Sequence, residues 1–229
     1  FQHTLDLGLD LSLVTNGTLM RPGVPEILAQ GKWVRFSIDA GKKETYSSIR
    51  EVPENYFKKV LKNIKKVVDA RTKDSELVIG VGFVVTKENY KEIYTAAEIF
   101  KDLGVNNMRI SAAFTPEDFD YHKDIYPEAK KLAEKSKEDF ETKDFLVFNL
   151  FGERIGDLIQ QQPDYDFCGY MHLNVYVGGD LNVYTWLSKQ KKEAYRSFNA
   201  RNCSRCMFNN KNKFINYLTS SNPAHVNYI

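Results

Sequence analysis

The sequence predicts an α/β protein built on a parallel sheet, and three observations carry that expectation. Apolar strand-like runs alternate with amphipathic helical stretches at roughly 30–40-residue spacing, the rhythm of repeated βα units. The run "LVIGVGFVV" at 77–85 is almost continuously apolar, as a parallel strand covered on both faces would be. Gly31 and Gly104 stand where two of the helices need a residue to end on.

The elements follow in order. Residues 11–15 form a short apolar run that ends at "TNGT", a strand and a turn in which Gly17 supplies the positive φ. Residues 25–30 fit a brief helix, and 33–38 the next strand, followed by a polar helical stretch that closes on Arg50. Residues 55–70 are apolar at 57, 60, 61, 64, 67 and 68, the 3.6-residue period of an amphipathic helix. After the 77–85 strand, 87–103 reads as a second amphipathic helix and 107–111 as a strand. From Phe114 the rhythm loosens, with a charged helix over 126–141 and a strand over 145–150. Beyond Pro163 the composition changes. Cys168 precedes a hairpin ("MHLNVYVGGDLNVYTW", turning at Gly178-Gly179-Asp180), then a basic helical stretch and "CSRC". A boundary is expected near 160. Four βα-like units do not close a barrel, so the sheet is either open or lacks its first units.

With 229 residues, 42% hydrophobic and 27% charged, the chain can bury a sizeable core. A net charge of +2, from 32 basic and 30 acidic residues, marks no nucleic-acid binder. No apolar run reaches the ~18 residues of a membrane span. The opening "FQHTLDLGLDLSLVTNG" has no basic start and carries Asp6 and Asp10, unlike a signal peptide. It begins without Met on what reads as the tail of a helix, so the chain is expected to be cut from something longer. Three cysteines argue against a disulfide framework and for a reducing cytoplasm.

Ligands of parallel α/β sheets lie outside the C-terminal ends of the strands. Four such ends are polar here: Thr15-Asn16-Gly17, Ser37-Ile38-Asp39, Val85-Thr86-Lys87 and Arg109-Ile110-Ser111. Each alone is better explained by a backbone that must turn. The stretch "VRFSIDAGKKETYSSIR" (34–50) is richer, because it offers a hydroxyl, a carboxylate and a guanidinium together.

Cys168, Cys203 and Cys206 form a second constellation, a CxxC with one distant partner. Buried free thiols are the plain alternative. Thiolates suit zinc and iron–sulfur clusters alike, and His172 or His225 could complete a Cys3His zinc site. Spacing leaves the two metals even. All four histidines, His3 and His122 included, read as surface or hairpin residues before ligands. Basic 58–66 reads as the solvated face of a helix, and the 206–229 tail as a helix packed on the barrel.

Taken together, "LGLDLSLVTNGTLM", "VRFSIDAGKKETYSSIR", "VIGVGFVVTKENYKEI" and "LGVNNMRIS" resemble, in that order, consecutive strand–helix units of radical S-adenosylmethionine (SAM) enzymes. The likeness covers about residues 5 to 111. It implies the C-terminal portion of a partial (β/α)6 TIM-like barrel over 1–160, followed by a small α+β cluster-binding region over 161–229. It also implies that Ser37 and Asp39 lie close to SAM and that Arg50 salt-bridges the SAM carboxylate. The adenine would lie near Thr86 and Arg109, with Asn16 at the neighbouring strand end. A reduced [4Fe–4S] cluster would cleave SAM to a 5′-deoxyadenosyl radical that abstracts hydrogen from a small-molecule or peptide substrate. The electron would come from a donor such as flavodoxin or ferredoxin. The family's CxxxCxxC and glycine-rich "GGEP" strand are not in this sequence. The order Cys, hairpin, helix, CxxC over 168–206 is similar to a SPASM or twitch auxiliary-cluster region, without the Cys expected around Thr185 or Trp186. That likeness implies an auxiliary [4Fe–4S] cluster on Cys168, Cys203 and Cys206. The competing expectation is a non-catalytic, zinc-stabilised α/β binding module.

Overall fold

The computed structural model describes residues 1–115, 117, 119–152, 155, 175–177 and 183–185. By compactness the chain divides into Phe1–Arg154 and Ile155–Ile229. In the first unit, β1 (Ser12–Thr15), β2 (Trp33–Ser37), β3 (Val78–Val85), β4 (Asn107–Ala112) and β5 (Leu146–Asn149) lie side by side in chain order. Every pair is parallel. A doubly wound sheet reverses its strand order at a switch point, whereas staves of a barrel do not. The chain-order sheet is therefore a barrel segment.

The helices are α1 (Gln2–Asp6), α2 (Val24–Leu28), α3 (Lys43–Arg50), α4 (Asn55–Asp69), α5 (Ile93–Leu103), α6 (Phe119–His122) and α7 (Tyr126–Phe140). The period read over 55–70 is the buried stripe of α4, with Phe57, Val60, Ile64 and Val67 inside. Asn63 shares that stripe because its Nδ2 donates to the Gly17 carbonyl at 2.9 Å, tying α4 to the β1 turn. Gly17 has φ +71, and a Cβ there would come within 2.8 Å of the Phe36 ring, so both conformation and space require glycine. Gly104 caps α5 with φ +82.

One side of the sheet is the core. Val34, Phe36, Ile79, Val81, Phe83, Met108 and Ile110 are fully buried. α5 contacts β3 and β4 on this side, and α7 contacts β5. Each such side chain stabilises the fold by ~1.5–3 kcal/mol. On the opposite side Trp33, Val78, Val84, Leu146 and Phe148 are exposed. The expectation that 77–85 is covered on both faces holds only for its helix side. The other side has Gly80 and Gly82 between its two valines.

The expected 87–103 helix is shorter. Residues 86–89 turn, Tyr90–Glu92 form one 3₁₀ turn, and α5 begins at Ile93. In the second unit β6 (Val175–Val177) pairs antiparallel with β7 (Val183–Thr185), within the stretch read as a hairpin. Gly178-Gly179-Asp180 lies outside the described residues. Among the described residues no helix is long and apolar enough to cross a membrane.

Candidate functional site

The C-terminal ends of β2 and β3 meet at Asp39. This residue leaves the strand in the left-handed region, φ 58, which costs a residue with a Cβ about 1–2 kcal/mol. Three bonds hold it there. Its Oδ1 accepts from the Val84 N–H at 2.7 Å, its Oδ2 accepts from Arg50 Nη2, and its carbonyl accepts from Asn89 Nδ2 at 2.9 Å. Asp39 is nearly buried. Burial pushes its carboxyl above the usual carboxylate range, against the opposing pull of the Val84 N–H and the Arg50 charge.

Arg50 is the last residue of α3, which returns the chain over the strand ends after the loop at 40–42. Its Nη2 also donates to the Ser37 carbonyl at 3.0 Å. The guanidinium is thereby pinned at one nitrogen to two oxygens of the β2 end. Its Nε–H is buried and has no partner among the described residues. An orphaned donor in a planar fork is what a carboxylate satisfies.

The structure brings Ser37, Asp39 and Arg50 together and places Thr86 beside them through a residue that sequence reasoning missed. Asn89 is fully buried, and its Nδ2 reaches both the Asp39 carbonyl and, at 2.8 Å, the Val84 carbonyl. Its Oδ1 accepts from the Thr86 N–H at 2.7 Å. A second missed residue, Glu92, is buried and accepts from the Gly41 N–H at 2.9 Å and from the Thr45 hydroxyl. It holds the loop from which α3 starts. The sequence signals were an Asn four residues past the strand end and a Glu within an apolar helix pattern.

The remaining expected contacts are Asn16 and Arg109. Asn16 is exposed after β1, its Oδ1 accepting from the Thr18 N–H and hydroxyl. Arg109 sits in β4, opposite Gly82 of β3 and Phe148 of β5, and Gly82 in turn stands opposite Ser37. His122, read as a surface residue, is fully buried: its Nε2 donates to the Ala113 carbonyl at 2.9 Å under the Tyr121 and Phe151 rings. Chiefly through that burial its pKa is lowered. Cys168, Cys203, Cys206, His172 and His225 lie outside the described residues. Among the described residues no group of three His, Cys, Asp or Glu is placed to hold a metal ion.

No protein-family profile matches the chain. Curated relatives do. The chain is 28% identical over 102 residues to a "Probable GTP 3′,8-cyclase" of Saccharolobus islandicus, covering 44% of this chain and 31% of that protein. It is 32% identical over 105 residues to an "AdoMet-dependent heme synthase" of Methanosarcina barkeri, covering 45% and 28%. The chain thus spans about a third of the length of the curated relatives it matches. Among solved structures, Streptococcus suis SuiB superposes with a TM-score of 0.56 at 12% identity, over 82% of this chain and 47% of SuiB. The same protein bound to S-adenosylmethionine gives 0.55 at 12% identity, over 80% and 44%. These structures share the fold. The cyclase and the heme synthase are radical SAM enzymes, and the strand–helix units of this chain are similar to theirs over those 102 and 105 residues.

Proposed function

We propose that the chain is part of a radical SAM enzyme that holds SAM at the ends of β2, β3 and β4 and acts on a small-molecule or peptide substrate. The observation that carries this reading is Arg50, aimed by Asp39 and the Ser37 carbonyl, with a buried Nε–H still to be satisfied. An α-carboxylate suits that fork. Both Asp39 oxygens are engaged, so Asp39 acts by positioning Arg50, and the Ser37 hydroxyl is left for a ribose oxygen. Thr86 and Arg109 would border the adenine, with Asn16 at the rim. The chemistry that SAM supplies with a reduced [4Fe–4S] cluster is hydrogen abstraction; the protein orients the cofactor and excludes water.

The rest of the reading concerns residues 161–229. There we propose an auxiliary iron–sulfur cluster on Cys168, Cys203 and Cys206, because thiolates in a CxxC with a distant Cys suit such a cluster. A flavodoxin or ferredoxin in the cytoplasm would supply the electron.

The test is calorimetric titration of SAM into the full-length protein, purified without oxygen. Removing one partner of a part-buried charged pair costs about 2–5 kcal/mol, so Arg50→Ala should weaken SAM binding roughly 30-fold or more. Arg50→Lys should recover little of this, because a point charge cannot replace a fork. An unchanged dissociation constant for Arg50→Ala would remove Arg50 from the cofactor site.

A further inference from the structure

The strands themselves bring charge of one sign to the sheet face opposite the helices. The five strands together contain two arginines, Arg35 and Arg109, and no aspartate or glutamate. Both arginines fall on the uncovered face: Arg35 alternates with buried Val34 and Phe36, and Arg109 with buried Met108 and Ile110. Register places Arg35 opposite Gly80 and Arg109 opposite Gly82, so β3 contributes no side chain between them. The Arg35 stem leans across that gap, its Cδ lying 3.7 Å from where a Gly82 Cβ would stand. Trp33 lies alongside, with the Arg35 guanidinium carbon 5.8 Å from its ring centroid. Among the described residues no carboxylate is within ion-pair distance of Arg35. A part-buried guanidinium beside exposed apolar side chains is stabilised when an anion meets it, and its fork matches phosphate and carboxylate alike.

We infer that an anionic group of the substrate, a phosphate or a carboxylate, docks on this face against Arg35, one row deeper in the sheet than Ser37. This rests on the reading above, in which the strand ends of the same sheet hold SAM, and it adds that the uncovered face borders the substrate. Arg35 is then a specificity-determining residue with no part in binding SAM.

The experiment uses the full-length protein purified without oxygen, with inorganic phosphate and acetate titrated separately by calorimetry and SAM titrated afterwards. Wild type is expected to bind at least one of the two anions. Losing a hydrogen-bonded charge partner should weaken that binding about tenfold in Arg35→Gln, with Arg35→Lys intermediate. The SAM dissociation constant should stay within about twofold in Arg35→Gln, since a tenfold change would need ~1.4 kcal/mol of lost contact. A response to phosphate alone assigns a phosphorylated substrate, and a response to acetate alone a carboxylate. Failure of wild type to bind either anion, or equal binding by Arg35→Gln, overturns the inference. Failure of wild type to bind SAM overturns the reading beneath it, and is seen in a separate titration.

Discussion

At the scale of single residues, Asp39 concentrates the conflicts of the site: a left-handed backbone, a nearly buried carboxyl and an arginine partner. Its folded pKa lies above the free value of about 3.9, with burial the largest cause. The sign follows from linkage. The folded state holds this proton to higher pH than the unfolded chain, so the stabilisation from protonation is full below about 3.9 and is lost as pH rises through the folded value. Asp39→Asn keeps a side chain that tolerates left-handed backbone and an acceptor for the Val84 N–H, but it does not titrate. The melting temperature of wild type minus that of Asp39→Asn should therefore increase as pH is lowered through that window. A difference that shrinks would mean that Arg50 and the Val84 N–H outweigh burial.

At the scale of elements, Asn89 joins two strand ends that sequence reading lists separately. One amide satisfies the Asp39 and Val84 carbonyls and the Thr86 N–H, the first bond buried and the other two part-buried. Asn89→Ala leaves these groups without partners and should cost about 2–4 kcal/mol. Asn89→Asp should cost at least as much, since a carboxylate has no proton to give either carbonyl. The midpoint of urea unfolding checks both, and a loss below ~1 kcal/mol would mean that water replaces the amide. This use of Asn89 also explains why α5 starts six residues later than its apolar pattern: the chain must turn before it can coil.

At the scale of the whole molecule, the proposal joins barrel units to a metal-binding region. In the full-length protein, Cys203→Ser with Cys206→Ser should lower iron and acid-labile sulfide by about four each per chain, the content of one [4Fe–4S] cluster. SAM binding should persist, because the Asp39–Arg50 site belongs to the strand ends of the first unit. Loss of about one zinc instead, with iron unchanged, would favour the zinc-stabilised module.

Much of the barrel segment was legible in the chain, because helical and strand periods are local properties of covalent geometry. The α4 stripe, the Gly17 turn, the Gly104 cap and the polar strand ends could all be read in order. Ser37, Asp39 and Arg50 could be grouped because they lie within one stretch of sequence. Tertiary structure alone decided the rest. It set the strand order, buried His122, spent both Asp39 oxygens on the protein itself, and used Asn89 and Glu92 as ties. It also turned Arg35 and Arg109 onto one uncovered face. The physical reason is common to all of these: hydrogen bonds and burial depend on which groups meet in space. The ties from Asn89 and Glu92 span 50 and 51 residues of chain, far beyond the reach of any local period.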